Sequence, residues 1–169
     1  LFINHQPLKT MNQLSQRRFL TAILLAAFVL TLAPFSLEAR PPKSEDDLIK
    51  DLASPKDGVV TDALQKLEKD YPNSPKSVPE IKKLLGDPRT KVARKAARVL
   101  GAVNADVSQA DLDKICELLK SSDKYTIIDG LKALRGLKSK SCVPQMLPLL
   151  KSTDKNVIRD TMRTLAVVG

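Results

Sequence analysis

The chain has 169 residues, with 28 Lys and Arg against 19 Asp and Glu, one His, two Cys and no Trp. All four Phe (Phe2, Phe19, Phe28, Phe35) and His5 lie near the start, so the aromatics of the remainder are Tyr71 and Tyr125, and imidazole is absent there. This excludes a Ser-His-Asp triad, a His-ligated metal and a His general base from the body, and leaves little aromatic surface for stacking bases or sugars.

Residues 1–10 (LFINHQPLKT) precede Met11 and read as upstream, non-native residues. Residues 11–39 follow the pattern of a secretory signal: Arg17-Arg18, an uncharged run from Phe19 to Leu32, then Pro34, Ser36 and an exit at Leu37-Glu38-Ala39. The run is shorter than the ~20 residues of a spanning helix. Export to a periplasm or the cell exterior is therefore expected, with an uncleaved anchor over residues 19–35 as the alternative. Ser15 to Leu20 loosely resembles a twin-arginine signal, but its apolar pair is out of step with the arginines, and the general secretory route fits better. Residues 40–44 form a linker. The body, residues 45–169, keeps the basic excess, because only Lys9, Arg17, Arg18 and Glu38 fall within the first 39 residues. Such a balance suits an acidic protein face, phosphate or anionic lipid, and equally a solvated Lys-rich surface.

The body repeats. Leu67, Leu100, Leu134 and Leu165 align at steps of 33, 34 and 31. The same steps relate Leu52, Leu85, Leu119 and Leu150; Val60, Ala93, Ile127 and Ile158; and Leu64, Ala97, Leu131 and Met162. A fifth column is small: Ala63, Ala96, Gly130 and Thr161. Each unit (about 45–77, 78–111, 112–142 and 143–169) holds a short first helix, predicted over 47–53, 78–85, 109–120 and 143–151. A longer second helix is predicted over 58–69, 89–103, 123–137 and 154–168. Apolar positions such as Leu112, Ile115, Cys116 and Leu119 fall at helical spacing, and no segment alternates as a strand does. Ser44 with Asp47 and Ser77 with Glu80 have the spacing of capping boxes, and Ser54-Pro55 and Asp87-Pro88 that of an N-cap before a first-turn proline. Two antiparallel helices at this period make an all-α fold, an α-solenoid of about four stacked units.

Leu84-Leu85-Gly86-Asp87-Pro88-Arg89-Thr90-Lys91-Val92-Ala93-Arg94, with Asp154-Lys155-Asn156-Val157-Ile158-Arg159 in unit four, resembles a HEAT repeat of the short bacterial kind. The resemblance covers residues 45–169. It implies a binding scaffold whose second helices line the concave face, without catalysis, cofactor or metal. It also places a bridging Arg at Arg94 and Arg159; Thr61 and Ile128 stand there in units one and three, so bridging between units is expected to be interrupted. Enzymes with such repeats fit less well. Phycobilin lyases are not exported, hydroxylases hold iron with His-Glu pairs, and glycosylases rely on aromatic residues. The last turn, Leu165-Ala166-Val167-Val168-Gly169, is apolar where a terminal unit needs a polar face, and reads as a truncated array.

Projecting the columns onto the second helices exposes Gly58, Lys91, Tyr125 and Asn156; then a mainly acidic row of Asp62, Lys95, Asp129 and Asp160; then Gln65, Arg98, Lys132 and Arg163. Pairs such as Asp129–Lys132 and Asp160–Arg163 are expected to join the rows. The candidate partner-binding residues are Lys91, Lys95, Arg98, Tyr125, Lys132, Asn156 and Arg163. Unit two is the most basic, with Arg89, Lys91, Arg94, Lys95 and Arg98 close together. The expected partner is a protein or peptide, with an anionic surface as a further possibility. Nucleic acid is disfavoured, and a membrane is expected only through the N-terminal segment. The alternatives are a module of a longer exported enzyme with its catalytic domain beyond residue 169, or an envelope structural protein on anionic lipid or polymer. Cys116 and Cys142 sit 26 apart where equivalent positions differ by 31. The offset of about 7.5 Å of helical rise predicts two independent thiols rather than a disulfide.

Overall fold

The Ser44 hydroxyl accepts the Asp47 amide at 3.2 Å and turns the chain into its first helix. The computed structural model describes residues 43–169; the upstream residues, the signal segment, its alternative role as an anchor and most of the linker lie outside them. The helices are α1 (Glu45–Asp51), α2 (Asp57–Asp70), α3 (Val78–Lys83), α4 (Thr90–Ala102), α5 (Gln109–Leu118), α6 (Lys124–Gly136), α7 (Val143–Met146) and α8 (Lys155–Val168). Short 3-10 turns over Leu84–Gly86 and Leu147–Lys151 prolong α3 and α7. The described residues contain no strand, and none of their helices is long and apolar enough to cross a membrane. The described residues form an all-α solenoid of four two-helix, HEAT-like units. The second helices α2, α4, α6 and α8 pack in series, α4 against α6 most extensively.

The stacking follows the repeated columns. Leu67, Leu100 and Leu134 are fully buried, as are Leu64, Ala97 and Leu131 and the small residues Ala63, Ala96 and Thr161. Each large aliphatic side chain so removed from water contributes about 1.5–3 kcal/mol. Two columns open in unit four: Met162 is 54% and Leu150 37% exposed, whereas their counterparts in units one to three are buried. No described residue covers these two.

A turn recurs at the same steps. The side chains of Ser54, Asp87, Ser121 and Ser152 each accept the amide two residues on, from Lys56, Arg89, Asp123 and Asp154. This corrects the expectation for Ser54-Pro55 and Asp87-Pro88. These side chains close a turn before the helix, so Lys56 and Arg89 hold the N-cap positions and the prolines lie outside α2 and α4. Ser77 is buried in a helical conformation and caps nothing. The reciprocal capping box forms instead at Ser108–Asp111, opening α5. The first helix of unit four is broken because Pro148 has no amide to give to an α-helical ladder, and the chain tightens into a 3-10 turn.

Cys116 and Cys142 are joined by a disulfide, with Cα atoms 5.6 Å apart, which overturns the expectation of independent thiols. That expectation placed both residues on straight helices in register. Cys142 instead occupies the N-cap of α7 with a non-helical backbone, so rise per residue does not measure its distance from Cys116. Both side chains are buried, and the bridge ties unit three to unit four through their first helices.

The tightest helix contact comes from glycines outside the small column. A Cβ on Gly101 would lie 2.5 Å from the Ala133 Cα, and one on Gly136 would overlap the Gly101 carbonyl. Thus α4 and α6 meet backbone to backbone. Gly130, from the small column, faces Leu118 and Leu119 of its own unit.

Candidate functional site

The second helices present their polar faces side by side, and the structure sorts the expected acidic row differently. Asp62 is exposed, but Asp129 and Asp160 are buried. Burial of a carboxylate requires a cation, and each has one from a neighbouring unit. Arg94 Nη1 donates to Asp129 Oδ2 at 2.8 Å, and Arg135 Nη1 stands 3.6 Å from Asp160 Oδ1. The expected Asp129–Lys132 and Asp160–Arg163 pairs do not form among the described residues. The reason is geometric: both aspartates face the preceding helix rather than solvent.

Bridging between units is therefore continuous, although Thr61 and Ile128 lack the guanidinium. Arg98 reaches both Glu68 carboxylate oxygens at 3.2 Å between units one and two, and Arg94–Asp129 joins two and three. Arg135–Asp160 joins three and four. At the helix starts, Arg89 contacts Asp57 at 3.3 Å and Lys124 contacts Asp154 at 3.1 Å. These two contacts pair equivalent positions with the charges exchanged. The Arg89 guanidinium, at 2.6 Å, holds the Asp87 carboxyl below its ordinary range, and Lys124 does the same for Asp154. Asp129→Asn keeps the shape of the buried partner and removes its charge. The expected loss is about 2 kcal/mol in urea unfolding, below the range for a fully buried pair because Arg94 retains some solvent. An unchanged midpoint would show the pair to be dispensable.

These pairs decide which candidates remain available. Of the five cations clustered over residues 89–98, Arg89, Arg94 and Arg98 are held by carboxylates, while Lys91 and Lys95 form no ion pair among the described residues. Lys91 is exposed in the first turn of α4, and Lys95 is half-buried one turn later. Tyr125, 59% exposed, stands in the first turn of α6 with Lys124 Nζ 5.5 Å and the Arg94 guanidinium 5.9 Å from its ring centre. Cations at this distance are attracted to the face of an aromatic ring. Asn156 and Arg163 are exposed on α8, and Lys132 is half-buried on α6.

Arg98 and Lys132 come together in a groove of about 340 Å³ beside the α4–α6 crossing, with Glu68 and Arg135 completing its charged walls. Sequence reasoning missed Glu68 and Arg135. Arg135 follows Lys132 by three on the same helix, a spacing that could have signalled a shared face; Glu68 gave no such signal, because helix stagger brings it to Arg98.

No protein-family model matches the chain, nor does any curated protein. Solved structures do match its fold. The complex of CpcE and CpcF of phycocyanin lyase from Nostoc sp. PCC7120 aligns with a TM-score of 0.64 at 19% identity, covering 82% of this chain and 58% of that one. An engineered protein aligns with a TM-score of 0.63 at 22% identity over 75% of this chain and 63% of its own. A second engineered protein gives 0.60 at 22% identity over 75% and 38%. The chain thus spans less than two thirds of each neighbour, and at these identities the likeness is one of fold.

Proposed function

We propose that this protein is an exported scaffold that holds a protein or peptide on the face of its second helices and performs no catalysis of its own. The observation that carries the reading is the set of groups left over once the solenoid has paired its own charges. Lys91, Lys95, Lys132 and Arg163 form no ion pair among the described residues, and Tyr125 stands exposed on α6, the second helix that also carries Lys132. Unpaired cations and an exposed aromatic ring on one series of helices suit an acidic or mixed polypeptide surface. The fold neighbour that is itself a complex of two chains agrees with a protein partner. The Cys116–Cys142 bridge agrees with export, since disulfides persist in oxidising compartments.

Photo-cross-linkers placed at Lys91 and Tyr125, compared with Gln109 and Glu117 on α5, test the face in the cell-envelope fraction. One partner captured from the first pair alone is expected, and Lys91→Glu with Lys95→Glu should weaken its capture about tenfold or more. These lysines are the cleaner choice because reversing Arg98 would also break its bridge to Glu68. Equal capture from both faces would overturn the reading. Steeply salt-sensitive binding to anionic vesicles with no protein captured would replace it with a surface-binding envelope protein.

A further inference from the structure

The groove beside the α4–α6 crossing carries more cations than carboxylates, and one of them, Lys132, forms no ion pair among the described residues. Its walls carry Arg98, Lys132 and Arg135 against the single carboxylate of Glu68. Arg98 shares both Glu68 oxygens at 3.2 Å, a long contact for a charged pair. Arg135 Nη1 is shut off from solvent with no hydrogen-bond partner, because Asp160 at 3.6 Å is close enough for attraction but too far for a hydrogen bond. That nitrogen faces Asp160 rather than the groove; the rest of the guanidinium, on a side chain 30% exposed, borders the groove and forms no hydrogen bond among the described residues. Lys132 has no ion pair among the described residues. Depth is available because Gly101 and Gly136, where the helices touch, bring no side chains into the groove.

We propose that this groove seats a carboxylate side chain of an acidic peptide segment, between Lys132 and the guanidinium of Arg135. The assignment rests on the protein-binding reading above and names the chemistry of the partner. A carboxylate is favoured over a phosphate on two grounds. The fold already satisfies its inter-unit guanidinium groups with carboxylates, at Arg98–Glu68 and Arg94–Asp129. Glu68 also faces the groove, and its repulsion grows with the charge of the ligand. The groove is far larger than one ion, so the anion arrives attached to a chain that continues along the second helices.

The probe is a capped, fluorescent peptide of alternating Glu and Ser, titrated into the full chain and followed by anisotropy. Lys132→Gln and Arg135→Gln should each weaken it about tenfold or more, whereas Lys151→Gln, on the exposed 3-10 turn after α7, should leave it unchanged. Lys132→Gln alone keeps the test open if Arg135→Gln unfolds. Equal losses in Lys132→Gln and Lys151→Gln would reduce the effect to net charge and overturn the groove. So would inorganic phosphate displacing the peptide at lower concentration than acetate does. Absence of peptide binding, with cross-linking from Lys91 and Tyr125 still specific, would remove the groove and leave the face. Peptide binding that depends on Lys132, without any cross-linked partner, would leave the groove and remove the broader reading.

Discussion

Reduction of the Cys116–Cys142 bridge should lower the unfolding free energy by about 3.5 kcal/mol, with the fold retained. The loop it closes spans 26 residues, and opening it returns conformational freedom to the unfolded chain. Because both sulfurs are buried, the reduced thiols keep their packing, and the difference between oxidised and reduced protein isolates the closure effect. Urea unfolding with and without reductant measures it, and thiol titration of the denatured, unreduced protein checks that the bridge forms. Identical midpoints, or free thiols before reduction, would show that it does not form in solution. The bridge lies between first helices, so binding on the second-helix face should survive reduction. The loss also bears on address, since this increment is present only where the thiols are oxidised.

Gly136→Ala is expected to cost about 3 kcal/mol, the upper end for overpacking, although alanine is ordinarily the better helix former. The added methyl would meet the Gly101 carbonyl, and backbone cannot rotate aside as a side chain can. Relief requires α4 and α6 to separate, which loosens the most extensive helix contact and shifts Arg94 relative to Asp129. Gly58→Ala is the control. Nothing lies within 4 Å of its added methyl and its backbone is not left-handed, so a gain of about 0.5 kcal/mol is expected from reduced freedom of the unfolded chain. Equal effects of the two substitutions in urea unfolding would refute the close approach. A shift in the Lys132 and Arg135 resonances of Gly136→Ala would further tie the crossing to the groove.

Much of the architecture was legible before any coordinates. The Leu67, Leu100, Leu134 column, the unit steps and the second-helix boundaries of 123–137 and 154–168 match the structure to within one residue at each end. They could be read because they are local or periodic. A buried stripe must recur every three or four residues, and a stacked unit must repeat its stripe. Capping was only partly legible. Ser44 does cap α1, but Ser77 is buried and Ser54 and Asp87 close earlier turns, since a serine or aspartate near a helix start can satisfy either set of amides.

The candidate site divides along the same line. That Lys91, Tyr125, Asn156 and Arg163 stand exposed on the second helices follows from helical phase, which the sequence carries by itself. That Asp129 and Asp160 turn inward, that Arg98 is held by Glu68, that Arg135 borders the groove and that Cys142 reaches Cys116 follow from how one helix crosses the next. Crossing angle and stagger are set where α4 and α6 touch through Gly101 and Gly136, two positions that share no column of the repeat. Sequence periodicity thus determined the units and their buried stripes. The tertiary structure decided which charges remain free, because ion pairing depends on a few ångströms of helix offset, a distance no periodicity within one helix specifies.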